Sequence, residues 1–522
     1  MRKILFASAA VVALISFSAP VFADSITDAS TGIKNTATTS ANTKADSGVK
    51  ASVTTAKTAI GSSYTLPTKS PSAPAYSSNI AYVDQVGSSN VNAQTQTGSH
   101  GNLSIVGQTG IGNGSSVTQT STGKGNTSVV TQSGTGSNDA VVNQSGFGGN
   151  IAVLSQNGYK NRTATQTQIG KDNLTVATVT GDGNSSTQKQ NGETNVSSLI
   201  QTAPVAEIKT FGNSPKPPEE KFYGHIAYME QVGNLNNAFV SQTGKSQDAY
   251  AFQSGNGHLS VQIQSGKGNE GDIIQYHLSN TAAQAQSGED NEADIYQKGS
   301  SNVAAQVQSN EDNEATITQG STNKYLTVIG NVAAQVQSGK DGKVEITQYG
   351  SSNVAVQVQG GEDNDAKIEQ EGSSNVAVQQ QSGEDNEAKI EQEGIGSTAT
   401  QLQTGKKDYA SIKQSGVGGN TASQTQASTT MRSEAYIVQT GSGSHTATQS
   451  QSGYGDHYAR IEQDGYSNTA AQSQTGRNHT AYAYQWGSSN NSTQTQTGSN
   501  NFAHAKQGFG GGSGNRSTQT QN

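Results

Sequence analysis

Eight histidines, at 100, 225, 258, 277, 445, 457, 479 and 504, are the side chains best suited to bind a metal or carry a proton, and their spacing supports neither role. No His-x-x-x-His pair with an intervening Glu occurs, so the helical zinc arrangement is excluded. Scattered through turns and linkers, these histidines read as surface residues. Gly244-Lys245-Ser246 has the end of a phosphate-binding loop, but Phe239 stands where the first glycine is required. Asp290, Asp312, Asp341, Asp363 and Asp385 recur in turns beside charged neighbours. Hard cations such as calcium take carboxylate oxygens, yet solvated turn acids account for the same residues. No nucleophile, base and orienting group can be assembled, so the sequence predicts no enzyme, no cofactor and no metal.

The elements that would position any such group are repeats. A glutamine recurs every eleven residues from Gln231 to Gln319 and again from Gln337 to Gln414. Two residues before it Ile and Gln alternate: Ile273, Gln284, Ile295, Gln306, Ile317, then Gln335, Ile346, Gln357, Ile368, Gln379, Ile390, Gln401, Ile412. The true period is therefore twenty-two residues in two unequal halves, the signature of a stacked array whose units are completed only by their neighbours.

Composition agrees. The chain has 522 residues, 61 glycines, no cysteine and only 30% hydrophobic residues, too few large ones for a conventional core. Residues 1–23 carry Arg2 and Lys3, an apolar stretch and small residues to Ala23, which reads as a secretory signal peptide. The formal net charge of −8 becomes more negative once they are removed, which argues against a nucleic-acid partner. No later segment is apolar enough to span a membrane as a helix. Residues 24–79 form a Ser/Thr/Ala-rich flexible leader, 80–202 a first repeat block, 203–225 a Pro-rich linker or decorated turn, and 226–522 a second block. Register is lost once, at 321–330.

In 348–372, the positions two, four and six after Asn353 are Ala355, Gln357 and Gln359, and after Asn364 they are Ala366, Ile368 and Gln370. Alternate residues of a strand share a face, so these point inward while Val354, Val356, Lys367 and Glu369 point outward. Gly350, Gly361 and Gly372 follow each glutamine by two and suit tight turns. The expected fold is all-β: a β-solenoid of stacked strand-turn-strand rungs, about 22 residues per rung, cross-β and amyloid-like. Columns of Ile273, Ile295 and Ile317 and of glutamines follow, each amide bonding the copies above and below.

The string Q-x-G-x-x-N-x-A-x-x-x-Q, at 297–308, 348–359 and 370–381, resembles the repeat of curlins, the subunits of bacterial curli fibres. The resemblance implies a Sec-exported protein that crosses the outer membrane through a dedicated pore and polymerises on the cell surface as functional amyloid in a biofilm matrix, with a nucleator subunit as partner. It also implies an assembly ladder of Gln297, Asn302, Gln308, Gln348, Asn353, Gln359, Gln370, Asn375 and Gln381, to which the repeat pattern adds Ile368, Ile390, Gln392 and Gln519. The repeat running to NRSTQTQN at 515–522 is expected to present an open strand edge, which templates another chain. Outward Glu345, Lys367, Lys389, Glu369, Glu391 and Lys413 read as gatekeepers against premature pairing. The alternative is a monomeric solenoid adhesin or ice-binding protein, suggested by QTQTG at 94–98 and TQTQTG at 493–498, or a minor nucleator subunit. Outward Val, Glu, Lys and Ser in the second block predict no continuous Thr face.

Overall fold

The computed structural model describes residues 79–522 except 99–100, 137, 160, 162, 204–206, 210–218, 222–223, 321–328, 428–431 and 509–511. The expected signal peptide, and the leader as far as residue 78, lie outside the described residues. The rest falls into two compact units, one ending at Asp290 and one spanning Asn291–Asn522. No described helix is long and apolar enough to cross a membrane.

Both units are β-solenoids with about 22 residues per rung, as the period requires. In the second unit, one half of each rung contributes to a sheet running from Glu292–Ser300 through Asp365–Ser373 to Phe502–Gln507, called here the Ile sheet. The other half contributes to a sheet running from Val303–Gln308 through Val354–Gln359 to Arg516–Gln521, called the Gln sheet. Pairing is parallel and in register: Ile346 faces Ile368, which faces Ile390, while Gln357 faces Gln379. The expected parity holds, with Ala366, Ile368 and Gln370 buried and Asp365 exposed. Gly350 and Gly372 have φ of 101° and 102°, and a Cβ at Gly350 would collide with the carbonyl oxygen of Gly372 one coil on. Glycine is therefore required twice over, by the turn and by the stack.

The first unit repeats this architecture with a more apolar interior. Val106, Val130, Leu154, Leu199 and Val240 occupy one sheet where glutamine holds the equivalent column of the second unit, and Val117, Val142 and Met229 occupy the other. The ladder continues across 203–225: Ser185 pairs with Ile226 and Val196 with Asn237. Within that segment Glu207–Lys209 pairs antiparallel with Glu219–Lys221. At 321–330 the ladder likewise continues, Gln306 facing Gln335 and Ile317 facing Ile346.

Candidate functional site: the buried amide ladders

Three unbroken glutamine columns and one apolar column fill the second unit. In the Ile sheet, Gln297 donates Nε2 to Gln319 Oε1, Gln319 to Gln348, Gln348 to Gln370 and Gln370 to Gln392, each at 2.8 Å. In the Gln sheet, Gln308 donates to Gln337 at 2.9 Å, Gln359 to Gln381 at 2.8 Å, and Gln357 to Gln379 at 2.8 Å. The donor always lies in the earlier coil, so every column is a one-way chain. The second N–H crosses the core: Gln370 Nε2 donates to the Val354 carbonyl at 3.1 Å and Gln359 Nε2 to that of Lys343 at 2.8 Å. One carboxamide thus ties coil to coil and sheet to sheet, which is why amides can replace hydrocarbon here. The apolar column runs Ile295, Ile317, Ile346, Ile368, Ile390, Ile412, Ile437, Ile461, all fully buried.

Asparagines form further columns at the strand starts. Asn353 N–H donates to Asn331 Oδ1 at 2.9 Å, and Asn375 N–H to Asn353 Oδ1 at 3.0 Å. Asn353 Nδ2 donates to the carbonyls of Tyr349 and, one coil on, Gly372, fixing the turn on both sides. Of the residues expected in the ladder, Gln297, Asn302, Gln308, Gln348, Asn353, Gln359, Ile368, Gln370, Asn375, Gln381, Ile390 and Gln392 are buried in these columns. Gln519 takes the same position in the half-exposed strand Arg516–Gln521, accepting from Gln494 Nε2 at 2.8 Å.

The first unit shows what happens where a column starts. Buried Oε1 atoms without a partner among the described residues belong to Gln94, Gln166, Gln201 and Gln262, besides that of the turn residue Gln247. Val142 precedes Gln166, Val179 precedes Gln201 and Val240 precedes Gln262 in their columns. A valine offers no N–H, so the next amide oxygen goes unpaired. Gln94 lies in the first rung described.

The histidines correct the sequence reading. His225, His258, His445, His457 and His479 are buried, not on the surface; His277 and His504 are exposed, and His100 lies outside the described residues. The five occupy asparagine slots, because imidazole presents an acceptor and an N–H at nearly the reach of a carboxamide. His445 N–H donates to Asn420 Oδ1 at 3.1 Å, and its Nδ1 accepts from the Asn468 N–H at 3.1 Å. His258, His225 and His479 accept likewise at Nδ1 from the N–H of Asn280, Gln247 and Asn501, each at 3.3 Å. Their Nε2 atoms face the carbonyls of Ser254, Thr202 and Thr475. His457 and His479 stack with centroids 5.3 Å apart. Desolvation lowers the pKa of His225 and His445 and brings His258 and His457 down to about 4. The signal was present in the sequence, since His258 and His479 follow Gln253 and Gln474 by five, as Asn353 follows Gln348.

Outward faces differ. On the Ile sheet, Glu345 pairs with Lys367 at 3.2 Å and Glu391 with Lys413 at 3.0 Å, while Lys367 faces Lys389 and Glu369 faces Glu391. Exposed pairs of this kind add at most about 1 kcal/mol. Not every outward side chain is open to water: Val356 is buried, as are Val129, Val153 and Val176 in the first unit. The Gln sheet from Thr398 onward collects Thr398, Thr421, Thr446 and Thr469 in one outward column and Thr400, Ser423 and Thr448 in the next. A local hydroxyl stretch results, because alternate halves of the repeat go to different sheets and the Lys and Glu residues leave with the other half. It does not run the length of the sheet, since Val303, Val332, Val354 and Val376 precede Thr398 in its column and Ala471 follows Thr448, as the sequence led us to expect. Among the described residues no cluster of three or more His, Cys, Asp or Glu could hold a metal.

The family model for the curlin-associated repeat matches residues 288–320, 339–372 and 361–394. No curated protein matches the chain. On these matches, and with glutamine and asparagine columns running through the matched coils, the coils from 288 to 320 and from 339 to 394 are curlin-associated repeats.

Proposed function

We propose that this protein is a secreted structural subunit that self-assembles head to tail into extracellular, curli-like amyloid fibres serving cell adhesion and the biofilm matrix. The supporting observation is the one-way amide column, which gives each coil a donor end and an acceptor end and so makes another copy the natural continuation. The strands Ile80–Ser88 and Arg516–Gln521 are each paired on one side only among the described residues, and a one-sided ladder is a template for a further strand. In this reading residues 1–23 direct export, 24–79 are a leader, 203–225 is an insert, and blocks 80–202 and 226–522 build the fibre. An outer-membrane pore and a nucleator subunit are its partners, and no catalysis is involved. Purified mature chain is expected to assemble with seedable, concentration-dependent kinetics into thioflavin-positive fibres with a meridional reflection near 4.8 Å. A chain that stayed monomeric at high concentration with added seeds would contradict the proposal.

The local hydroxyl stretch of the Gln sheet favours a second reading, a soluble monomer that uses its threonine rows to bind ice. Thermal hysteresis by the monomer is its test.

A further inference from the structure

We propose that the junction between copies has a single register, with Ile80–Ser88 of one copy laid on Phe502–Gln507 of another and Val91–Gly98 laid on Arg516–Gln521. The inference rests on the assembly reading above and specifies the surface that reading uses.

The columns set the polarity. Each glutamine gives Nε2–H to the following coil and receives at Oε1 from the preceding one, so a unit begins on acceptors and ends on donors. At the beginning, Gln96 and Gln85 donate onward to Gln119 and Gln108, and the buried Gln94 Oε1 has no partner among the described residues. At the other end, Gln519 and Gln521 donate one N–H to the carbonyls of His504 and Phe502, each at 2.8 Å. These are the cross-core bonds that interior glutamines also make. The other N–H of each points onward.

The rung order sets the register. Strands alternate between two sheets, and Arg516–Gln521 belongs to the Gln sheet, so the next strand of a continuing coil falls on the Ile sheet against Phe502–Gln507. Placing Ile80–Ser88 there matches every column. Asn79 follows Asn501, Ala81 follows Ala503, Val83 follows Ala505 and Gln85 follows Gln507. Val91–Gly98 then lies on Arg516–Gln521, with Asn90 after Asn515, Gln94 after Gln519 and Gln96 after Gln521. The unpartnered Gln94 oxygen meets the onward Gln519 N–H. Outside, Tyr82 meets His504, Asp84 meets Lys506, and Thr95 meets Thr520. The competing register, Ile80–Ser88 on Arg516–Gln521, puts Val83 on Gln519 and Asp84 on Thr520, strands the amide against a valine and leaves Phe502–Gln507 unextended.

The chain has no cysteine, and neighbouring residues of a parallel ladder, at about 4.8 Å, lie within disulfide reach. Full-length mature chain carrying Thr95→Cys with Thr520→Cys, and separately Asp84→Cys with Thr520→Cys, is assembled under reducing conditions and then oxidised. All these side chains face outward. The proposed junction gives a ladder of reducible, covalent multimers from the first pair and monomers from the second. Multimers from the second pair, or fibres whose first pair stays monomeric, overturn the register while leaving assembly intact. Absence of fibres in the unsubstituted chain overturns the assembly reading and the junction with it.

Discussion

A glutamine lines a core at least cost when both its N–H groups and its oxygen are paired, and the stack meets all three needs at Gln370 through Gln348, Gln392 and Val354. Gln370→Ala breaks the column on both sides and leaves buried amide groups unpaired, at about 1–3 kcal/mol each. Glu369→Ala, on the outer face, should stay within about 0.5 kcal/mol; urea midpoints of the soluble chain compare the two. Val179 offers the reverse experiment. It separates Gln156 from Gln201, whose Oε1 is buried without a described partner, so Val179→Gln should raise the midpoint by completing the column. Four of the buried histidines make stability depend on pH. Desolvation holds the folded pKa of His225, His258, His445 and His457 below the ordinary 6.5, so protons favour the unfolded chain. Stability is full above about pH 6.5 and falls towards pH 4, where His258 and His457 finish titrating, by roughly 2–3 kcal/mol for each of these two. His277 lies near His258, Asp464 near His445, and His479 and Asp456 near His457. Replacing these four by Asn, as other coils have, should flatten the urea midpoint between pH 7 and 4.5; an unchanged slope would exclude them as its source.

At the scale of the element, alternation along the strand told inside from outside before any coordinates: Ala366, Ile368 and Gln370 are buried as the spacing requires. The turn glycines were legible too. Gly372→Ala puts a Cβ against the Gly394 carbonyl at a positive φ, and faster amide exchange across 371–375 should result, with the coils beyond unaffected. What the sequence did not reveal follows from sorting halves onto two sheets. Thr400, Ser423 and Thr448 form one outward column only once the intervening Lys413 is assigned to the opposite sheet. The buried histidines were hidden for another reason: residue type suggests surface, and only their position relative to Gln253 or Gln474 reveals the asparagine role. The second N–H of each glutamine, crossing to the facing strand, depends on the separation of the sheets, which periodicity does not encode.

For the whole molecule, nearest-neighbour stacking means that each coil is stabilised mainly by the two beside it. The stack is accordingly continuous across 203–225 and 321–330, where Gln190 donates to Gln231 and Gln319 to Gln348, both at 2.8 Å. In the proposed assembly the same locality is what allows another copy to continue the stack. Everything at this scale depends on residues one period apart lying directly above one another, with a directional amide chain between them. High-resolution cryo-electron microscopy of assembled chain tests this most directly. The account predicts Ile368 beneath Ile390 in the interior at a rise near 4.8 Å, flanked by continuous Gln348–Gln370–Gln392 density. Density placing Ile368 and Ile390 apart, or facing solvent, would contradict it.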